Sequence, residues 1–154
     1  MLRVTKLTDY ASFVLTLLAG APERVHSAAE LAERTHLETP TVSKLLKALA
    51  QAGLVEAFRG ANGGYRLAKP AAQIRLIAIV EAIEGPLGMT ECSLHDGDCG
   101  IQDHCGVRAN WRRINDVVVD ALASVTLAQM LAPPAPRAAP ARPRKPIPLH
   151  VTSA

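Results

Sequence analysis

Aromatic side chains are nearly absent from this chain: one Trp, two Tyr and two Phe make up 3% of it. A core must therefore come from Leu, Val, Ile and Ala, which favours helices. Long apolar runs are missing too. No stretch reaches the roughly eighteen uninterrupted apolar residues of a membrane-spanning helix. Cysteine occurs only three times, and an odd number excludes a complete disulfide framework within one chain. Acidic residues are absent from 133–154, where seven prolines fall between 133 and 148 among Ala and Arg. Such a segment cannot bury a core and reads as a disordered tail.

The 154 residues are 49% hydrophobic and 20% charged, enough for one soluble domain or two small ones. The net charge of +3 is unevenly placed. Residues 1–75 carry ten basic against six acidic side chains, and residues 76–132 carry three against eight. The basic front half suits a polyanion. Arg3 and Lys6 before an apolar run ending Ala19-Gly20-Ala21 have the outline of a signal peptide. Thr8, Asp9, Ser12 and Thr16 interrupt that run on a helical polar face, so a cytoplasmic protein is expected.

The three cysteines stand together, Cys92, Cys99 and Cys105, in C-x6-C-x5-C spacing among Gly, Asp and His. Those neighbours build loops rather than cores. Thiolates are soft ligands that select zinc, copper(I) or iron–sulfur clusters. Structural zinc usually spaces its ligand pairs more closely. Three readings stay open on spacing alone: a cluster, zinc, and inert thiols. Enzymatic chemistry has no support, since there is neither a nucleotide loop nor a separate Cys-His-acid arrangement.

Periodicity predicts a helix over 7–19, with Leu7, Ala11, Val14, Leu15 and Leu18 buried and Thr8 and Asp9 at its start. Ser27 and Glu30 form the pattern of a capping box opening a short helix to about Arg34. Thr39 as cap and Pro40 in the first turn start a third helix, buried through Val42, Leu45, Leu46 and Leu49 and closed by Gly53. Thr41, Ser43, Lys44 and Lys47 fall mainly on its other faces. Two helices, a tight turn and a polar-faced second helix are the parts of a helix-turn-helix. Residues 54–58 and 65–67 read as strands flanking Arg59-Gly60-Ala61-Asn62-Gly63-Gly64, a glycine-rich wing in which Arg59 and Arg66 are placed for phosphates or a minor groove. A helix follows from Ile74 to Glu84, after a possible strand at 74–76. A long helix runs from about Gly106 with Trp111, Ile114, Val117, Val118, Ala121, Leu122 and Val125 as its stripe. Thr126 caps a last short helix through Leu131. A long isolated helix is marginal in water and needs a partner, so this one reads as a dimer helix.

Taken together, residues 1–131 resemble the winged-helix regulators typified by the iron–sulfur regulator IscR and the nitric-oxide sensor NsrR. The resemblance rests on Leu7-Thr8-Asp9-Tyr10-Ala11, Gly53-Leu54-Val55, the wing from Arg59 to Leu67, the three cysteines, and Trp111 six residues after Cys105. It implies a homodimeric transcription factor whose cluster modulates binding to a double-stranded DNA operator. The overall look is most similar to regulators of the Suf cluster-assembly operon. In the IscR branch a histidine three residues after the third cysteine is the fourth ligand. Arg108 stands there in this chain, and a guanidinium offers no lone pair to a metal. The open position falls to Asp9, His95, His104, Glu91 or a small exogenous molecule. The NsrR-like branch places an aspartate near the start of the first helix, which matches Asp9, and that favours 4Fe–4S over 2Fe–2S.

The expected protein is therefore mainly α. Residues 1–84 form a winged helix-turn-helix domain, 85–106 a cluster-binding cysteine loop, 107–131 a dimerisation helix with a short terminal helix, and 132–154 the tail. DNA contacts are expected from Thr39, Pro40, Thr41, Ser43, Lys44, Lys47, Arg59, Gly60, Asn62, Gly63 and Gly64. Dimer contacts are expected from Trp111, Ile114, Val118 and Leu122. The expected function is a repressor of Suf-type genes that senses cluster status. A nitric-oxide or redox sensor, or a DNA-binding module with structural zinc, is the alternative. Neither a membrane nor a small-molecule substrate is expected.

Overall fold

The computed structural model describes residues 4–94, 99–101 and 103–132. Helix α1 (Lys6–Ala19) buries Ala11, Val14, Leu15 and Leu18, a repeat of three and four residues along one face. Leu7, expected on that face, lies 37% exposed, because the chain enters the helix beyond the core. The helix also starts earlier than expected. Thr5 holds the N-cap position without a side-chain bond. The cap comes instead from another helix: Glu84 Oε1 accepts from the Thr5 N–H (3.0 Å), the Thr5 hydroxyl (2.6 Å) and the Thr8 hydroxyl. A carboxylate at a helix N-terminus satisfies orphan donors and meets the positive end of the helix dipole.

Helix α2 (Ala28–Thr35) starts at Ser27, whose hydroxyl accepts from the Glu30 N–H at 3.1 Å. Only half of the expected capping box forms, because the Glu30 carboxylate turns to Arg24 (3.0 Å) and His26 (3.1 Å). His36 ends the helix in the left-handed region at φ 55°. Helix α3 (Thr39–Gln51) then buries Val42, Leu45, Leu46 and Leu49, as the sequence pattern predicts. Its cap is shifted by one residue: Glu38 holds the N-cap position, with Thr39 and Pro40 inside the first turn. Gly53, at φ +68°, closes α3 with a double bond pattern, Leu54 N–H to Leu49 carbonyl (2.9 Å) and Gly53 N–H to Ala50 carbonyl (3.0 Å).

Strands β1 (Val55–Phe58) and β2 (Gly64–Leu67) pair antiparallel, with Val55 opposite Leu67 and Phe58 opposite Gly64. The expected strand at 74–76 is a single bridge between Arg75 and Thr126. It is closed by Leu76 N–H to Val125 carbonyl and Leu127 N–H to Ile74 carbonyl, both at 2.8 Å. Helix α4 (Leu76–Glu84) follows. The long helix α5 begins at Arg108, slightly later than expected, and ends at Ser124. Val125, expected on its stripe, is extended and belongs to the bridge. Helix α6 (Leu127–Leu131) has a complete capping box of Thr126 and Gln129. Its Leu127 is fully buried with Leu15, Leu46, Leu49 and Ile79 in one core. The tail from 133 onward lies outside the described residues.

The Glu84 staple has a pH signature. Hydrogen bonds from Thr5 first, then Thr8, hold its carboxyl below the usual carboxylate range. A depressed folded value stabilises above the unfolded pKa and loses that contribution as pH falls through the folded one. Wild type should therefore be more stable than Glu84→Ala at pH 7, and the gap should narrow below about pH 4. Paired urea melts at pH 7 and pH 3.5 check this; a gap that widens in acid contradicts it.

Candidate nucleic-acid interface and cysteine loop

On α3, the buried leucines turn the opposite side outward. Thr39, Pro40, Lys44 and Lys47 are exposed, and Thr41 and Ser43 are half-buried beside them. The wing root is pinned by backbone. His26 N–H donates to the Tyr65 carbonyl (2.9 Å), and Tyr65 N–H returns to the His26 carbonyl (2.8 Å). A Cβ on Gly64 would strike that His26 carbonyl, so only glycine allows the approach. Gly63 is equally tight against the Phe58 carbonyl. Arg59, Gly60 and Asn62 stand exposed at the tip. Strand β1 packs against α3, so the helix and the wing form one unit carrying the residues expected to meet DNA.

Arg66 is not free for phosphate in this state. It pairs with Glu56 across the strands at 2.9 Å and lies 4.9 Å from the Phe58 ring centroid. His26 was not foreseen from sequence. It is fully buried, with Nδ1 3.1 Å from Glu30 Oε1 and Nε2 unpartnered among the described residues. Its signal was a histidine directly before a helix cap, too common a pattern to stand out.

The cysteine loop leaves α4 at Gly85. Cys92, Cys99 and Cys105 are free thiols, each half-buried. Cys92 sits in a single helical turn, Glu91–Ser93. The Thr90 hydroxyl lies 3.2 Å from Cys92 Sγ and 2.8 Å from Ser93 Oγ. Asn115 Oδ1 accepts from the Met89 N–H at 3.0 Å, and Arg112 Nε donates to the Cys92 carbonyl at 3.0 Å. Residues 95–98 and 102, with the candidate ligand His95, lie outside the described residues. Glu91 and His104 are exposed.

No group of three His, Cys, Asp or Glu side chains among the described residues is gathered to hold a metal ion. Asp9 is exposed on α1 and lines a groove with Tyr10, Phe13, Thr16, Leu37 and Met130. Even so, the donor set suits an iron–sulfur cluster. Three unpaired thiols share one loop, and Arg108, three residues beyond Cys105, buries an Nε–H with no partner among the described residues. A buried donor without an acceptor costs about 1–3 kcal/mol, and an anionic sulfur of a bound cluster would be a fitting acceptor for it.

Helix α5 meets this loop with a polar edge. Asn115 is its one buried residue among those described. Its apolar residues point away: Trp111 is 39% exposed, Ile114 43% and Val117 63%. Val118 and Leu122 are half-buried. No described helix is long and apolar enough to cross a membrane.

Residues 4–133 match the family model Rrf2, described as an iron-dependent transcriptional regulator. The chain belongs to the Rrf2 family. Protein aau3 of Rhizobium meliloti (strain 1021) is 35% identical to it over 127 residues, 82% of each chain. Among solved structures, the global cysteine regulator CymR of B. subtilis superposes with a TM-score of 0.64 at 30% identity, over 85% of this chain and 97% of that one. IscR of T. potens superposes with a TM-score of 0.62, also at 30% identity, over 84% and 86%. This Rrf2 chain is thus a transcriptional regulator with a DNA-binding winged helix-turn-helix.

Proposed function

We propose that this Rrf2 chain is a homodimeric repressor that senses iron–sulfur cluster status and controls Suf-type cluster-assembly genes. Residues 1–84 meet the operator, 85–106 hold the cluster and 107–131 join the subunits. Cys92, Cys99 and Cys105 are the thiolate ligands, and Asp9 is the fourth, supplied across the dimer. The observation that carries this reading is the two-sided use of α5. Its polar edge grips the cysteine loop through Arg112 and Asn115 while its apolar stripe stays uncovered. An exposed stripe of this kind marks an interface. When bound, the cluster supplies a labile cross-link among the thiolates. The loop that makes this link leads directly into the dimer helix, which begins at Arg108, so its order sets the spacing of the two α3 helices.

Anaerobic purification with iron and sulfide analysis tests the reading. About four irons and four sulfides per chain, in a brown protein, is the expected result. Colourless protein holding zinc points to the structural-zinc alternative. A cluster that is destroyed by nitric oxide, with release of DNA, points to a nitric-oxide sensor on the same loop.

The DNA face has its own test. Lys44, Lys47 and Arg59 are exposed beside the half-buried Thr41 and Ser43, the arrangement of phosphate contacts around base-edge contacts. Lys44→Ala and Arg59→Ala should each lower the log–log salt slope of operator binding by about one. Unchanged affinity and slope in both would displace the helix and wing from the interface.

A further inference from the structure

Three hydrogen bonds converge on the four residues Met89–Cys92. Asn115 Oδ1 takes the Met89 N–H, Arg112 Nε holds the Cys92 carbonyl, and the Thr90 hydroxyl touches Cys92 Sγ. Asn115 is 6% exposed on a helix whose other described residues are open or half-buried. A buried amide oxygen is held at low cost only when it accepts a hydrogen bond, and the Met89 N–H supplies it. Arg112 and Asn115 are three residues apart, neighbours on one face of α5. At about 100° per residue, Ile114 and Val117 fall on nearly the opposite face.

We propose that Arg112 and Asn115 are positioning residues that fix Cys92 in its ligating place and pass the state of the cysteine loop to the dimer helix. This rests on the cluster reading above. Neither side chain is a ligand. The backbone of the first cysteine is fastened both three residues ahead and at its own carbonyl, so its thiol is presented before any iron arrives. Losing groups that orient ligating residues in this way commonly costs about 10–100-fold in metal affinity. Without the clamp, ordering Met89–Cys92 becomes a cost of binding. With it, any shift of Cys92 pulls on two consecutive turns of α5.

The test uses the full chain, as wild type, Asn115→Ala, Asn115→Asp and Arg112→Ala. Exchange of the Met89 amide is read on the metal-free protein. Loss of visible absorption to excess ferrous chelator is read after anaerobic reconstitution. Asn115→Ala should expose the Met89 amide and speed cluster loss about tenfold, the effect of one lost hydrogen bond. Asn115→Asp keeps an acceptor oxygen and should restore both. Arg112→Ala, at an exposed side chain, should speed cluster loss at an unchanged melting temperature. If Asn115→Ala does not fold, Arg112→Ala decides alone. Wild-type rates of loss in Arg112→Ala and in a folded Asn115→Ala overturn the clamp while leaving the cluster reading intact. A wild-type protein that takes up no iron overturns both, and the failure then appears before any variant is compared.

Discussion

Ile114→Asp should sediment as a monomer at micromolar concentrations, where the wild-type chain should sediment as a dimer. Ile114 is 43% exposed within one chain and sits between Trp111 and Val117 on the uncovered face of α5. Within the chain, a charge there remains in water and the fold should survive. Across a two-fold interface it meets the same stripe, and symmetry places it twice. Each unpaired carboxylate costs several kcal/mol to desolvate. A weakening of at least a hundredfold, about 2.7 kcal/mol, follows. An unchanged helical circular dichroism spectrum separates dissociation from unfolding. A wild-type protein that is itself monomeric, with or without iron, removes the dimer.

Asp9→Ala should lose its cluster about tenfold faster than wild type, or fail to assemble it, while His104→Ala should behave as wild type. Asp9 is exposed on α1, so its removal leaves the core untouched. A carboxylate oxygen is harder than a thiolate and holds iron less firmly, making that corner the labile one. Thr8, one residue before it, is buried and bound to Glu84, and Glu84 directly precedes the cysteine loop. Within one chain, the Asp9 offered to the partner and the chain's own cysteine loop are therefore fastened to the same pair of helix ends. Should His104→Ala alter the spectrum while Asp9→Ala does not, the fourth ligand lies inside the loop.

The helices and the wing were legible because they follow local rules. Leucines at 45, 46 and 49 mark a buried face whatever lies beyond it, and Thr126 with Gln129 forms its box from neighbours in sequence. What escaped was set by distant partners. Glu84 caps a helix 79 residues away from it in the chain at Thr5, and no local pattern assigns it. Asn115 follows Trp111 by four residues and precedes Val118 by three, so a polar residue at an apolar spacing was the signal for the clamp. Ser27 and Glu30 fit the box pattern, but Arg24 and His26 compete for the carboxylate. The cysteines were found by type and spacing alone. Asp9, offered as the residue completing their site, came from the family resemblance alone, since an aspartate near a helix start reads locally as a cap or a dipole partner.

The burial of Leu127 also governs the order in which the molecule can be made. Ile74 reaches the middle of the chain with its backbone carbonyl waiting for the Leu127 N–H. Until that residue has been synthesised, the core that includes Leu15, Leu46, Leu49 and Ile79 lacks one of its fully buried leucines. A missing leucine in such a core costs about 2–5 kcal/mol even when its neighbours relax. That is a large share of a small domain's stability. Synthesis runs from the N-terminus, and segments fold as their contacts become available. Cys92, Cys99, Cys105 and all of α5 thus leave the ribosome before the operator-reading half has its full core. A nascent chain interrupted between Ile74 and Leu127 carries an unfinished reader rather than an unregulated one.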